Sequence, residues 1–220
     1  MNVFDIIGPV MIGPSSSHTA GAVRLGRISR ALLGKEPVRA EIQLHGSFAQ
    51  TYHGHGTDKA LIAGIMGMQP DDQRIRNSLE LATKQGLVYS FTKVVLENAH
   101  PNTALIHLTA EDGTSCSLQG ASVGGGNILV TRINGMAAEF SGQYTTFIVL
   151  HQDKPGMIAE VARFMAEKGI NIGTFRSIRT AKGGTAVMTL EVDMDNIPSE
   201  LIDEIRSQPN ILNCVMIHRI

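Results

Sequence analysis

Cysteine is scarce in this chain. Of its 220 residues only two, Cys116 and Cys214, are cysteines, and neither belongs to a CxxC spacing. That excludes a disulfide framework. It also leaves too few thiolates to hold an iron–sulfur cluster by the usual ligation, so any cluster chemistry needs a second polypeptide to bring the metal. Both cysteines read as small buried hydrophobes on strands. An excess of charge of one sign is lacking too: 19 basic and 20 acidic residues give a net charge of −1. Aromatic residues make up 5% and tryptophan is absent. No basic, aromatic-rich stripe exists, so nucleic acid is not an expected partner. No apolar run approaches the roughly 20 residues that span a bilayer. Met1-Asn2-Val3-Phe4-Asp5 lacks a basic stretch before an apolar core, so it does not read as a signal peptide. The expectation is a cytoplasmic protein without a membrane partner.

What is present is ordinary globular material, 43% hydrophobic and 18% charged, enough for one large or two small domains. The chain changes character near Ser141-Gly142, after a turn-rich stretch that begins at Asn134-Gly135. The last third is easily read. Thr146 to Leu150 is a β-branched and apolar strand, broken by Asp153-Lys154-Pro155-Gly156. Between Met157 and Lys168, residues Ile158, Val161, Ala162 and Met165 repeat as one helical face, and Gly169 ends the helix. Ile172 to Thr180 is a second strand, and Lys182-Gly183-Gly184 supplies a hairpin turn. Ala186, Met188, Leu190 and Val192 alternate along a third. A helix over Pro198 to Gln208, with Leu201, Ile202 and Ile205 inward, and a strand over Ile211 to Ile217 complete βαββαβ, a ferredoxin-like order.

The first 140 residues or so mix both element types. Ser16 or Ser17 is placed to cap a helix from about Thr19 to Leu33 that buries Leu25, Ile28 and Leu32 and ends at Gly34. Val38, Ala40, Ile42 and Leu44 alternate as a half-buried strand. Asp58 begins a short helix through Met66, and Ile75, Leu79 and Ala82 mark another that Gly86 ends. Strands over Thr103 to Thr109 and Asn127 to Ile133 follow. The fold class is α+β.

Six of the eight histidines lie at or before residue 107, and four segments there carry chemistry. In Gly13-Pro14-Ser15-Ser16-Ser17-His18-Thr19, hydroxyls and free backbone N–H groups converge at a helix start, which suits a carboxylate or phosphate beside an acid/base histidine. His45-Gly46-Ser47 and His53-Gly54-His55-Gly56-Thr57-Asp58 flank histidines with glycine, which lets backbone approach a ligand. Asp58 is placed to orient a histidine or cap the next helix. His-x-His invites a metal, yet no further cysteine or carboxylate pattern completes a ligand set. In His100-Pro101-Asn102-Thr103, polar groups gather at a strand start. Gly124-Gly125-Gly126-Asn127 is either an anion-binding concavity or a tight turn. His107, His151 and His218 read as surface or packing residues. Lys59 with the glycine run makes a poor pyridoxal phosphate site, because Lys59 lies inside a predicted helix.

Pro14-Ser15-Ser16-Ser17-His18-Thr19, Gly46-Ser47, Gly54-His55-Gly56-Thr57-Asp58, His100-Pro101-Asn102-Thr103 and Gly124-Gly125-Gly126 together resemble the β portion of iron–sulfur L-serine dehydratases. In that family the β portion is fused to a cluster-bearing α portion or is a separate chain. Its fold is similar to the allosteric substrate-binding domain of some D-3-phosphoglycerate dehydrogenases. The final residues look like an ACT domain, with Asp153-Lys154-Pro155-Gly156 matching its ligand loop. The resemblance implies a serine dehydratase beta domain over 1–142 and a ferredoxin-like ACT domain over 143–220. It implies conversion of L-serine to pyruvate and ammonia. The substrate hydroxyl would meet an open iron of a [4Fe-4S] cluster whose cysteine ligands sit on an alpha chain. His18, His55 and His100 match catalytic histidines, with His55 as base or charge stabiliser. Ser16, Ser17 and Thr19 would hold the substrate carboxylate or amine, and Ser47, Thr57, Asp58, Asn102, Gly124 and Gly125 are further substrate-binding positions. Asp153, Gly156, Met157 and Asn171 match a regulatory ligand site, and the edge strands of the ACT domain make self-association plausible. His53 departs from the pattern, where a lysine or other polar residue is expected, so that position reads as dispensable. Two rival readings are a non-catalytic amino-acid-binding regulatory protein and a dimerisation scaffold; the clustered histidines favour catalysis over both.

Overall fold

The structure is a computed structural model that describes residues 11–13, 15–194 and 197–220; Pro14 of the serine-rich segment lies outside them. Its contacts divide the chain into two compact units, one through Gly135 and one from Met136.

In the first unit, strands β1 (Pro37–Leu44), β2 (Val88–Lys93), β3 (Thr103–Ala110), β4 (Ser115–Gly124) and β5 (Asn127–Ile133) make a sheet in the order β2-β1-β3-β4-β5. The β1–β2 pair is parallel and the others are antiparallel. Along β1 the expected alternation holds for Ala40, Ile42 and Leu44, which are buried, while Val38 near the strand start is exposed. Helix α1 (Ala22–Leu33) lies on this sheet through Leu25 and Ile28, both fully buried. Leu25 fits against Gly120 of β4, where a Cβ would collide with it. Gly34 ends α1 in a left-handed conformation. Helix α3 (Thr57–Ile65) crosses α1 where Gly26 meets the Leu61 carbonyl and Gly64 meets the Val23 carbonyl. Only hydrogen side chains allow so close a backbone approach. Helices α2 (Gly46–His55) and α4 (Ser78–Lys84) and a 3-10 turn (Gln73–Asn77) complete the unit.

The second unit opens with β6 (Met136–Phe140), inside the stretch that reads as a turn-rich boundary. The βαββαβ order then appears: β7 (Thr145–Gln152), α5 (Met157–Glu167), β8 (Ile172–Arg179), β9 (Thr185–Val192), α6 (Glu200–Arg206) and β10 (Ile211–Ile217). The antiparallel sheet runs β10-β7-β9-β8. Phe147, Val149, Met188 and Leu190 meet Met157, Val161 and Met165 of α5 and Leu201 and Ile205 of α6. Each such buried side chain contributes roughly 1.5–3 kcal/mol. One expectation fails: Ile158 is exposed, and Met157 takes its place on the buried face. The helix starts directly after Gly156, whose φ is +93°, so Met157, Val161 and Met165 form the inward row at i, i+4 and i+8. The opposite face of β9 is covered as well. Thr189 donates to the Glu139 carbonyl of β6 at 3.1 Å, and Glu191 accepts from the backbone and hydroxyl of Ser141 at 2.8 and 2.7 Å.

Candidate active site

The site begins where the serine-rich segment enters α1. One π-helical turn, Ser17–Gly21, precedes the helix, closed by the Gly21 N–H donating to the Ser16 carbonyl at 3.0 Å. Neither Ser16 nor Ser17 caps by its side chain, contrary to expectation. Ser15 does that work, its hydroxyl oxygen taking the His18 N–H at 3.4 Å. The wide turn swings His18 inward, where it is buried. Its ring contacts Phe48 and stands edge-on to His55, with centroids 4.7 Å apart.

The His18 partners fix its tautomer. Thr51 Oγ1 lies 3.1 Å from His18 Nε2 and donates its single hydrogen to the Ser47 carbonyl at 2.8 Å. It must therefore accept from Nε2–H. Nδ1 is left to accept from the Ser15 hydroxyl at 3.3 Å. Both nitrogens of a neutral imidazole are thereby used. Burial, and secondarily the neighbouring His55, lower the His18 pKa below its ordinary value and keep the ring neutral. His55 differs: it is exposed, and among the described residues it makes no hydrogen bond or ion pair.

Helix α2 carries Ser47, Thr51 and His55, and its sequence hides it. Only Phe48 and Ala49 are buried, no apolar stripe repeats, and Gly54 disfavours helix. Tertiary contact decides its start: Gly46, at φ +59°, packs against Pro101, and the Phe48 N–H donates to the Pro101 carbonyl at 3.3 Å. The segment after Pro101 turns to β4, with Ser122 N–H donating to the Asn102 carbonyl at 3.0 Å. Ser122 in turn abuts Gly21, where a Cβ would strike its hydroxyl. So the serine-rich turn, α2, the Pro101–Asn102 segment and β4 close a ring of contacts. His100 stands on that ring but apart from the pair; it is exposed, and its Nδ1 accepts the Asn102 N–H at 3.1 Å. Gly124, Gly125 and Gly126 all have positive φ and form the β4–β5 hairpin turn, where Arg24 donates to the Gly126 carbonyl at 2.7 Å.

Beside His55 opens a cleft of about 440 Å³, walled by Thr19, His53, His55, Lys59, Ile75 and Arg76 among others. Of the expected substrate-binding residues only Thr19 lines it; Ser16, Ser17 and Ser47 are half-buried elsewhere on the turn and on α2. Thr57 Oγ1 is enclosed and has no hydrogen-bond partner among the described residues. The buried carboxylate of Asp58 accepts the Lys59 N–H at 2.8 Å and lies 2.7 Å from His53 Nδ1. His53, read from the sequence as dispensable, is thus the histidine that Asp58 orients. Lys59 and Arg76 were missed as site residues. Lys59 adjoins the Gly-Thr-Asp segment, which was a usable signal; Arg76 offered none, because folding alone carries it to the cleft.

Residues 2–132 match the serine dehydratase beta chain family, and residues 145–210 match the ACT domain family. The chain belongs to the serine dehydratase beta chain family. It is 45% identical over 216 residues to the probable L-serine dehydratase beta chain of Bacillus subtilis (strain 168), covering 98% of this chain and 97% of that one. It is 41% identical over 196 residues to the L-serine dehydratase beta chain of Peptoniphilus asaccharolyticus, covering 88% and 87%. A D-3-phosphoglycerate dehydrogenase of Bacillus subtilis is 26% identical over 185 residues, 83% of this chain but 35% of the dehydrogenase.

Two further features of this beta chain bear on cofactor and effector. Cys116 and Cys214 lie in different units, and both are buried and unpaired. Burial pushes both thiols up to about 12. Such thiols do not suit cluster ligation, which needs thiolate. Among the described residues no three of His, Cys, Asp and Glu gather to hold a metal ion. In the ACT domain the Asp153 carboxylate accepts the Gly183 N–H at 3.0 Å and meets Arg179 at 3.3 Å, while Asn171 donates to Asp193 at 2.9 Å. The Met157 side chain belongs to the core.

Proposed function

We propose that this chain is the beta subunit of an L-serine dehydratase that converts L-serine to pyruvate and ammonia, acting with a separate alpha chain that holds a [4Fe-4S] cluster. The observation that carries the reading is the His18–His55 pair at a cationic cleft, in a chain whose relatives over nearly its full length are L-serine dehydratase beta chains. The cluster, when bound on the alpha chain, supplies a Lewis acid for the substrate hydroxyl. This chain supplies proton transfer and orientation. His55, whose ring makes no hydrogen bond among the described residues, accepts the proton from Cα. The β-hydroxyl leaves and takes up the proton held by His55, so that water and aminoacrylate result; the aminoacrylate tautomerises and hydrolyses to pyruvate and ammonia. His18 is held neutral in one tautomer by Ser15 and Thr51, so it positions His55 and withholds a competing positive charge. Thr19, which lines the same cleft, contacts the substrate. Ser16, Ser17, Ser47, Thr57, Asn102, Gly124, Gly125 and His100 frame the part of the site that the alpha chain closes, and Asp58 acts through His53. The ACT domain binds an amino-acid effector near Asp153, Gly156, Met157 and Asn171 and self-associates through its edge strands.

The test mixes this chain with the alpha chain under anaerobic conditions and follows pyruvate formation from L-serine. The mixture is active and neither chain alone is. Full activity of the alpha chain alone, or of a mixture carrying His55→Ala, overturns the reading. The rival, a regulatory amino-acid-binding protein, is favoured by the likeness to D-3-phosphoglycerate dehydrogenase and by the ACT domain. It predicts calorimetric serine binding without any dependence of turnover on His18 or His55.

A further inference from the structure

Five cations of the first unit are matched by an acid: Arg30 with Glu36, Lys35 with Asp112, Arg39 with Glu41, Arg74 with Asp72, and Lys84 with Glu80. Lys59 and Arg76 belong to those that are not. Among the described residues neither side chain makes an ion pair or hydrogen bond, yet both face the same cleft. They come from different elements, α3 and the 3-10 turn, which Ser78 ties together by donating to the Lys59 carbonyl at 2.7 Å. None of the described lining residues is acidic. The neighbouring Asp58 carboxylate is already engaged by His53 and by the Lys59 backbone. Two cations lining one cleft, unmatched by an acid among the described residues, leave a standing attraction for an anion.

We infer that Lys59 and Arg76 are specificity-determining residues that bind the α-carboxylate of the amino-acid substrate. This rests on the function proposed above. The chemistry fits His55 as base: Cα is bonded directly to the carboxylate, so anchoring that group on the cationic wall brings the Cα proton to the nearby imidazole. The guanidinium presents a two-pronged donor that matches a carboxylate, and the ammonium adds a point charge. The same pair lowers the cost of placing further negative charge beside a carboxylate as the Cα proton leaves.

The experiment uses the assembled two-chain enzyme with Lys59→Gln and Arg76→Gln. Its probes are L-alanine, which keeps the carboxylate but has no leaving hydroxyl, and L-alaninamide, which lacks the carboxylate. Each is titrated as a competitive inhibitor of pyruvate formation. Each substitution weakens L-alanine on the order of ten-fold or more, the loss expected for a hydrogen bond to a charged group. L-Alaninamide inhibition moves less than two-fold. Arg76→Lys, which keeps the charge, recovers part of the L-alanine affinity. Equal weakening of both probes, or no change in either, overturns the assignment. A wild-type mixture that makes no pyruvate overturns the functional reading instead, so the two failures are separable.

Discussion

Both units bury an apolar core together with polar groups, and they differ in what lies beside those groups. Beneath its sheet the second unit hides a continuous apolar core of Phe147, Val149, Met165, Met188 and Leu190, and its buried polar residues, Thr145, Thr146, His151, Thr189 and Glu191, lie along β7 and β9. The first unit also has such a core, in Leu25, Ile28, Ile42, Leu61 and Ile106, but interrupts it with His18, Thr57, Asp58 and Ser122. Two of these four have complete hydrogen bonds: His18 is held at both ring nitrogens, and Asp58 at both oxygens. The other two, Thr57 and Ser122, carry buried hydroxyl oxygens without partners among the described residues, as do the Thr145 hydroxyl and His151 Nε2 in the second unit. A buried unpaired hydroxyl costs on the order of 1–3 kcal/mol. Polar burial alone therefore does not mark the site; what sets the first unit apart is that its buried His18 meets His55 beside a cleft lined by Lys59 and Arg76.

The largest effect expected from this contrast is functional. His55→Ala lowers pyruvate formation by the assembled enzyme about 10²–10⁴-fold, the usual worth of a positioned general base. Because the ring is exposed, thermal unfolding of the variant matches the parent. A drop in melting temperature with the same activity per folded molecule would move His55 from catalysis to packing.

Next in size is a stability effect in the second unit. Phe147 is fully buried, and Phe147→Ala costs roughly 3–5 kcal/mol by urea unfolding. A loss under about 1 kcal/mol would break the description of that unit as a tight apolar core.

The third effect is a pH dependence. Folding lowers the pKa of His18, so the unfolded chain binds its proton first as the solution is acidified. Stability is therefore lost as pH falls through about 6.5, the ordinary imidazole value, and the loss is complete below the lowered folded value. Chemical denaturation of wild type and His18→Gln at pH 7.5 and 5.5 reads this directly. The variant shows the shallower decline. Parallel declines would mean that His18 is not buried neutral.

The smallest effect is expected at Thr57. Thr57→Val removes an unpartnered buried oxygen at nearly constant shape, and stability is unchanged or rises by up to about 1 kcal/mol. A loss of 2 kcal/mol or more would show a hydrogen bond to that hydroxyl, at an energy typical of a satisfied buried group.

How far the sequence could be read follows from how locally each feature is encoded. Helix α1 announced itself by Leu25 and Ile28 and by Gly34 at its end, and β9 by its alternating apolar residues. Helix α2 was invisible, because contact with Pro101 rather than an apolar stripe defines its start. Ile158 was placed on the wrong side because the periodicity alone did not reveal that the helix phase is set by Gly156. At the site, the Gly-Thr-Asp segment drew attention to His55 and Asp58. Nothing local showed that Asp58 pairs with His53, or that Arg76, on another element, would line the same cleft as Lys59.

By itself the sequence determined the α+β class, the βαββαβ order of the last third and the residue types available for chemistry. These follow from short-range periodicity and from composition, and cysteine poverty alone ruled out a cluster held by this chain's thiols. Tertiary structure decided which of those residues work together. The tautomer of His18, its edge-on contact with His55 and the cationic wall of the cleft all join residues distant in the chain. Such juxtapositions arise only when α1, α2 and α3 pack, since no local spacing encodes them.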